Sequence, residues 1–251
     1  MNAAPGCTET TQVPTPRPAL AHVHSHLRLW LTMVILLGLD LWSKHWVFAH
    51  FNHREVQSFI PGVVDLQRSM NDGAVFGSFT GQVPLFVLAS LAALAFVFYL
   101  FASSSSRQRV MHIALGLILA GALGNLYDRA WIKADVLKVS VAGSGDHTLI
   151  GTVVEGTPGG DIWIGAWPDG KEAQRFSADE VRSLRRQGVV RDFIKFVPKF
   201  PRWVPGLGGR DVWPWVFNIA DAALVCGVLG LVLCPWGRRT HAQTEPPAEH
   251  A

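Results

Sequence analysis

Residues 27–48 read LRLWLTMVILLGLDLWSKHWVF, an apolar run that carries Asp40 and Lys44 near its end. A helix needs about 20 mostly apolar residues to cross a hydrocarbon core about 30 Å thick. Three further runs come close to that length, at 83–102, 110–127 and 212–234. The whole chain is 49% hydrophobic and only 16% charged, against about 25% charged in a soluble globular domain. The four runs predict a mainly α membrane protein with four transmembrane helices.

Flanking charge sets the orientation. Arg17 and Arg28 precede or open the first run, Arg107 and Arg109 separate the second from the third, and Arg238 and Arg239 follow the fourth. By the positive-inside rule these flanks, and so both termini, face the cytoplasm. The loops 50–82 and 130–211 then face outward. The first run follows a Pro- and Thr-rich leader and lacks a clear small-x-small exit, so it reads as a retained span rather than a cleaved signal. The net charge of +3 comes without a basic stripe interleaved with aromatics, and no nucleic-acid partner is expected. Cys7, Cys226 and Cys234 make no disulfide framework; the last two share one apolar helix as small hydrophobes. His22, His24 and His26 have no partner ligands nearby in sequence, so no metal is expected there.

Between the spans, composition shifts. Residues 1–26 are Pro-rich without apolar periodicity and read as a disordered cytoplasmic tail, as do 236–251. Residues 27–130 hold the first three helices with the outer loop 50–82, whose weak alternation around Val56–Ile60 and 63–67 predicts a small periplasmic β-cap. Residues 131–188 read as an inserted β-rich periplasmic module, with strands at 136–141, 148–154 and 161–167. A short helix over 177–186 is expected, opened by Ser177 with Glu180 three residues on. Residues 189–235 form an amphipathic re-entry followed by the fourth helix.

Ionisable groups inside a spanning helix cost about 2.5–3.5 kcal/mol on insertion scales and normally face a partner or a wet cavity. Asp40 and Lys44 stand i, i+4 on the first run. Asn125 and Arg129 have the same spacing on the third, with Asp128 beside them, and Asn218 and Asp221 stand i, i+3 at the fourth. Interhelical hydrogen bonding alone is the plainer reading of such residues, and for Asp40 with Lys44 it stands level with a functional one. Asp221 is different, since no Lys or Arg precedes Arg238 on its helix; Arg129 is a candidate cation for it. A second carboxylate, Asp192, sits where the chain returns toward the membrane. Two adjacent carboxylates share a proton near neutral pH, the condition under which one activates water and the other polarises an amide carbonyl.

These residues occur in five ordered motifs: Asp40-Leu41-Trp42-Ser43-Lys44, Asn71-Asp72-Gly73-Ala74-Val75-Phe76, Gly124-Asn125-Leu126-Tyr127-Asp128-Arg129, Val190-Arg191-Asp192-Phe193, and Phe217-Asn218-Ile219-Ala220-Asp221. In this order and spacing the chain resembles the lipoprotein signal peptidase (signal peptidase II) family, over about residues 27–130 and 189–235. The resemblance implies an aspartic endopeptidase of the bacterial inner membrane, with both termini cytoplasmic and with Asp192 and Asp221 as catalytic dyad. Asn71, Gly73, Asn125, Arg129 and Asn218 would orient substrate or dyad, and Asp40, Lys44 and Asp128 would support the site. The implied reaction cuts lipidated prolipoproteins N-terminal to the diacylglyceryl-modified cysteine. No metal or cofactor is implied, and the expected partners are prolipoproteins and membrane lipids, with the enzyme itself a monomer. The chain departs from the pattern at Leu41 (usually Gln), at Val75 (usually Ala), and above all in the insertion, where relatives pass from the third motif to the next Asp by a short connection. That insertion either covers or widens substrate access, or is a tolerated surface addition.

Three rival readings remain. Gly143-Ser144-Gly145-Asp146 spells the signature of presenilin-like proteases, but in a turn-rich polar segment rather than a span. A small proton-relay transporter could use Asp40, Lys44, Arg129 and Asp221. A diverged member with altered substrate or lost activity would keep the motifs.

Overall fold

The computed structural model describes residues 17–73, 83–141, 145–157 and 159–233. The two tails beyond those bounds, Ala74-Val75-Phe76 of the second motif, and Gly143 and Ser144 lie outside the described residues. Four α-helices are described: α1 (Val23–His50), α2 (Val83–Ser103), α3 (Arg109–Trp131) and α4 (Ile219–Leu233). The helices α1 and α3 are each long and apolar enough to cross a membrane. Nine strands are described: β1 (Val56–Ile60), β2 (Val64–Asn71), β3 (Lys133–Val141), β4 (Gly145–Gly156), β5 (Ile162–Ala166), β6 (Lys171–Phe176), β7 (Val181–Gly188), β8 (Val190–Phe196) and β9 (Val216–Phe217).

The bundle is inside-out relative to a soluble protein. On α1, Leu31, Val34 and Trp42 are exposed while Asp40 and Lys44 are almost completely buried. On α4, Val225, Leu229 and Val232 are exposed while Ala220 and Ala223 are buried. Apolar outside and charged inside is the distribution hydrocarbon surroundings favour. The central helix is α3, which packs against α1, α2 and α4. Small residues permit that approach. A Cβ on Gly124 would lie 2.5 Å from Asp40 Oδ2 and 3.1 Å from Ala220 Cβ, so only glycine lets α3 touch both partners there.

Two sheets gather at the end of the bundle where α3 finishes and α4 begins. One has the order β1-β2-β8-β9, and the other, formed wholly within 133–188, has the order β6-β5-β4-β3-β7. The second sheet buries Leu137, Val139, Ile162 and Ile164 on one face. Its other face meets the first sheet through Ala134, Val136 and Val189, with Met70, Ile150 and Trp167 packed around them.

Three local expectations change. The segment expected as a helix over 177–186 is a turn followed by β7. Ser177 N and Oγ do both bond Glu180 Oε2, at 2.9 and 2.8 Å. That local bond closes the β6–β7 turn instead of starting a helix, because Val181–Gly188 gains a full ladder against β3. A short isolated helix carries a nucleation penalty that the ladder avoids. The expected amphipathic re-entry is the strand β8, central in its sheet between β2 and β9. The fourth apolar run does not become helical at 212; α4 begins at Ile219, after Val216 and Phe217 have paired with β8.

Candidate active site

The start of α4 is built as a reciprocal cap. Asn218 precedes the helix, its Oδ1 accepts the Asp221 N–H at 2.9 Å, and Asp221 Oδ2 accepts the Asn218 N–H at 3.2 Å. This is the capping-box geometry with Asn and Asp in the two roles. A third donor of the first turn, Ala220 N–H, is met by Asp40 Oδ1 of α1 at 2.9 Å. Asp40 therefore does two jobs, since its Oδ2 accepts Lys44 Nζ at 2.8 Å.

Lys44 is fully buried and is the hub of the polar layer. Besides Asp40 it reaches Asn125 Oδ1 at 3.3 Å and Asp128 Oδ2 at 3.5 Å. Asp128 in turn takes the guanidinium of Arg191, Nη2 to Oδ1 at 2.7 Å, and its backbone N–H at 2.9 Å. Two buried cations thus stand against two buried carboxylates, with every carboxylate oxygen engaged by a donor; this is the condition under which buried charge is tolerated. Arg191 is the residue the sequence reading missed. Strand alternation carries the signal, because neighbouring positions on β8 face opposite ways. Arg191 faces α3, so Asp192 faces away from it.

Asp192 is itself only 2% exposed. Its Oδ1 accepts Asn218 Nδ2 at 2.6 Å and its Oδ2 accepts Asn71 Nδ2 at 3.2 Å. Asn71, on the neighbouring strand β2, is held in that orientation because its own Oδ1 accepts the Gly73 N–H at 2.8 Å. Gly73 sits at φ 97°, a conformation that side chains disfavour. Asp221 Oδ1 accepts Asn125 Nδ2 at 2.7 Å, and Asn125 Oδ1 accepts Asn218 Nδ2 at 3.2 Å. One amide network therefore joins Asp192 to Asp221. Arg129 lies in the electrostatic field of Asp221, Asp192 and Asp128. Asp40, Lys44, Asn71, Gly73, Asn125, Asp128, Asp192, Asn218 and Asp221 are thus joined by hydrogen bonds and ion pairs around one layer.

Burial, followed by the nearby charge of Asp221, pushes the Asp192 carboxyl up from its ordinary value to about 8. Each Asp192 oxygen already accepts an amide N–H, so a proton there occupies a remaining lone pair. Both aspartates line a single cleft of about 850 Å³. Trp213 and Trp215 form part of its wall, on a loop pinned by Lys195 Nζ, which donates to Asp211 Oδ2 at 3.0 Å and to the Pro214 carbonyl at 2.7 Å. Among the described residues no group of three or more His, Cys, Asp or Glu is arranged to hold a metal ion.

Comparison with known proteins bears on the fold and the family. The chain resembles in overall fold two solved structures described as bacterial membrane enzymes determined by the in meso method. One has a TM-score of 0.54 at 17% identity, covering 93% of this chain and 99% of that one. The other has a TM-score of 0.50 at 20% identity, covering 84% and 92%. In sequence, the lipoprotein signal peptidase of Latilactobacillus sakei subsp. sakei (strain 23K) is 35% identical over 103 residues, 41% of this chain and 68% of that protein. The lipoprotein signal peptidase of Streptococcus pyogenes serotype M5 (strain Manfredo) is 34% identical over 99 residues, 39% of this chain and 65% of that protein. The chain thus spans about two thirds of the length of these relatives. The family model described as signal peptidase (SPase) II matches residues 32–236, and the chain belongs to that family.

Proposed function

We propose that this protein is an aspartic endopeptidase that removes signal peptides from diacylglyceryl-modified prolipoproteins, cutting N-terminal to the lipidated cysteine. The observation that carries this reading is the amide network that ties Asp192 and Asp221 together at one cleft. The two carboxyls share one proton, and burial favours its place on Asp192. A water between them gives a proton to Asp221 as its oxygen attacks the scissile carbonyl carbon. Asp192 donates its proton to the carbonyl oxygen. As the tetrahedral species collapses, Asp192 takes a proton back from its hydroxyl, the C–N bond breaks, and the leaving nitrogen takes the proton held by Asp221, which restores the starting protonation. Asn71, Asn125, Asn218 and Arg129 orient dyad and substrate, with Gly73 fixing Asn71. Asp40, Lys44 and Asp128 hold the supporting polar layer.

All four helices span the bacterial inner membrane in this reading, with both termini in the cytoplasm and both sheets outside, and the enzyme acts as a monomer. The helical, apolar signal segment lies against the bundle, and the cleft receives the bond to be cut. The test is cleavage of a lipidated prolipoprotein by purified protein in detergent, comparing wild type with Asp192→Asn and Asp221→Asn. Wild type should release the signal peptide, and each variant should lose at least about 10²-fold in rate. Cleavage surviving in either variant would overturn the dyad assignment. Proton flux through liposomes without proteolysis would favour a relay instead.

A further inference from the structure

The inserted sheet does more than sit beside the dyad. Lys138, Thr148, Ile150 and Arg182, all from the insertion, line the same cleft as Asp192 and Asp221. Strand periodicity explains how they come to face it. On β3, Leu137 and Val139 turn into the module's own core, while Ala134 and Val136 face the first sheet. Lys138 continues that second face, opposite Thr148 on β4 and Ser183 on β7.

Arg182 reaches the cleft by a different device. Along the β3–β7 ladder, Lys138 pairs with Ser183 but Val139 pairs with Val181, so the register shifts and Arg182 is the extra residue of a bulge. Bulges re-aim a side chain and are common beside active sites. Two cations consequently stand close together on one wall, and neither has an ion pair or side-chain hydrogen bond among the described residues. Elsewhere in the module Lys171, Arg175 and Arg186 are paired with Asp169, Asp161 and Asp135. Arg182 is next to Ser183, the residue opposite Lys138, so the two like charges repel unless an anion lies near both. The module's carboxylate at the cleft, Asp146, lies two positions along β4 from Thr148, diagonal to Lys138.

We infer that the insertion is a specificity wall: Lys138 and Arg182 bind an acidic side chain of the substrate in the first few positions after its lipidated cysteine. This rests on the peptidase reading above. The bundle side of the cleft takes the apolar signal segment, so the polar chain beyond the scissile bond runs toward the sheets, where this wall stands. Selection of acidic sequences there is a property of this insertion, apart from the dyad and its supporting layer.

The test uses full-length enzyme in neutral detergent and two lipidated prolipoproteins that differ only after the cysteine, one with Asp or Glu at the second to fourth positions and one with Ser. Wild type should show the higher kcat/KM on the acidic substrate, through a lower KM. The double variant Lys138→Glu/Arg182→Glu should lower the acidic-to-neutral ratio roughly tenfold, and a Lys-bearing substrate should recover part of the loss. The double variant Lys138→Arg/Arg182→Lys, which keeps both charges, should hold the wild-type ratio. Equal loss on both substrates, or an unchanged ratio, would overturn the wall. So would an effect seen only in vesicles of anionic lipid, which would assign the cations to a headgroup phosphate. Failure of wild type to cut either substrate would instead bring down the peptidase reading itself.

Discussion

The polar layer at the head of the bundle and the inserted sheet treat charge in opposite ways. In the layer, Lys44, Asp40, Asp128 and Arg191 are all under a tenth exposed and each is engaged by a partner of opposite sign. In the insertion, charged side chains other than buried Asp135 lie at the surface, some in exposed pairs and some, such as Lys138 and Arg182, facing the cleft without a partner among the described residues. The first arrangement fixes geometry, because moving one member strands the others. The second tolerates change and leaves cations available to something that arrives from outside. A site that must hold two carboxylates in register needs the first kind of region, and a surface that selects among substrates can be built from the second.

The largest effect should come from striking the hub. Lys44→Met keeps length and apolar bulk but removes the cation that Asp40, Asp128 and Asn125 share. Breaking a buried pair by deleting one partner costs about 3–5 kcal/mol. Thermal unfolding in detergent should show that loss, and proteolysis should fall with it because Asn125 also holds Asp221. A Lys44→Met protein with wild-type stability would show that the layer is not a rigid frame.

Much of this was legible in the sequence, and the rest was not for definite reasons. Helical spacing put Asp40 with Lys44, and Asn125 with Asp128 and Arg129, because i, i+3 and i, i+4 residues share a helix face whatever surrounds them; Asn218 and Asp221 have the same spacing but meet as cap and first turn, since α4 begins only at Ile219. The family resemblance then joined Asp192 to Asp221. What spacing does not carry is pairing between strands. The 177–186 segment has a real local capping signal, and only its distant partner β3 decides that it becomes a strand. The bulge that turns Arg182 toward the cleft is a matter of register, which no single segment reveals. Arg191 escaped notice because its partner, Asp128, lies on the far side of the insertion.

A middle-sized effect should appear with pH. The folded protein holds a proton on Asp192 up to about pH 8, whereas an unfolded chain releases it near 3.9. Between those values the native state binds more protons than the unfolded one, so stability falls as pH rises through this window. Activity follows the same proton, and kcat/KM should decline as pH passes about 8. Asp221→Asn removes one of the two causes of the upward shift, so its thermal unfolding should depend less steeply on pH than wild type. An identical dependence in the two proteins would mean that Asp221 exerts no field at Asp192.

The smallest effect belongs to the outer part of the insertion. Arg175 Nε donates to Asp161 Oδ2 at 2.8 Å, but Arg175 is 60% exposed and Asp161 37%. Exposed pairs of this kind contribute about 0.2–1 kcal/mol, since water screens the attraction and two side chains lose freedom in forming it. Arg175→Ala should therefore shift the unfolding midpoint barely at all, and the shift should shrink further in high salt. The contrast with Lys44→Met is a contrast in surroundings, because both changes delete one cation from a close ion pair. If Arg175→Ala proved as damaging as Lys44→Met, burial would not be what separates the two regions, and the insertion would have to be counted as part of the frame.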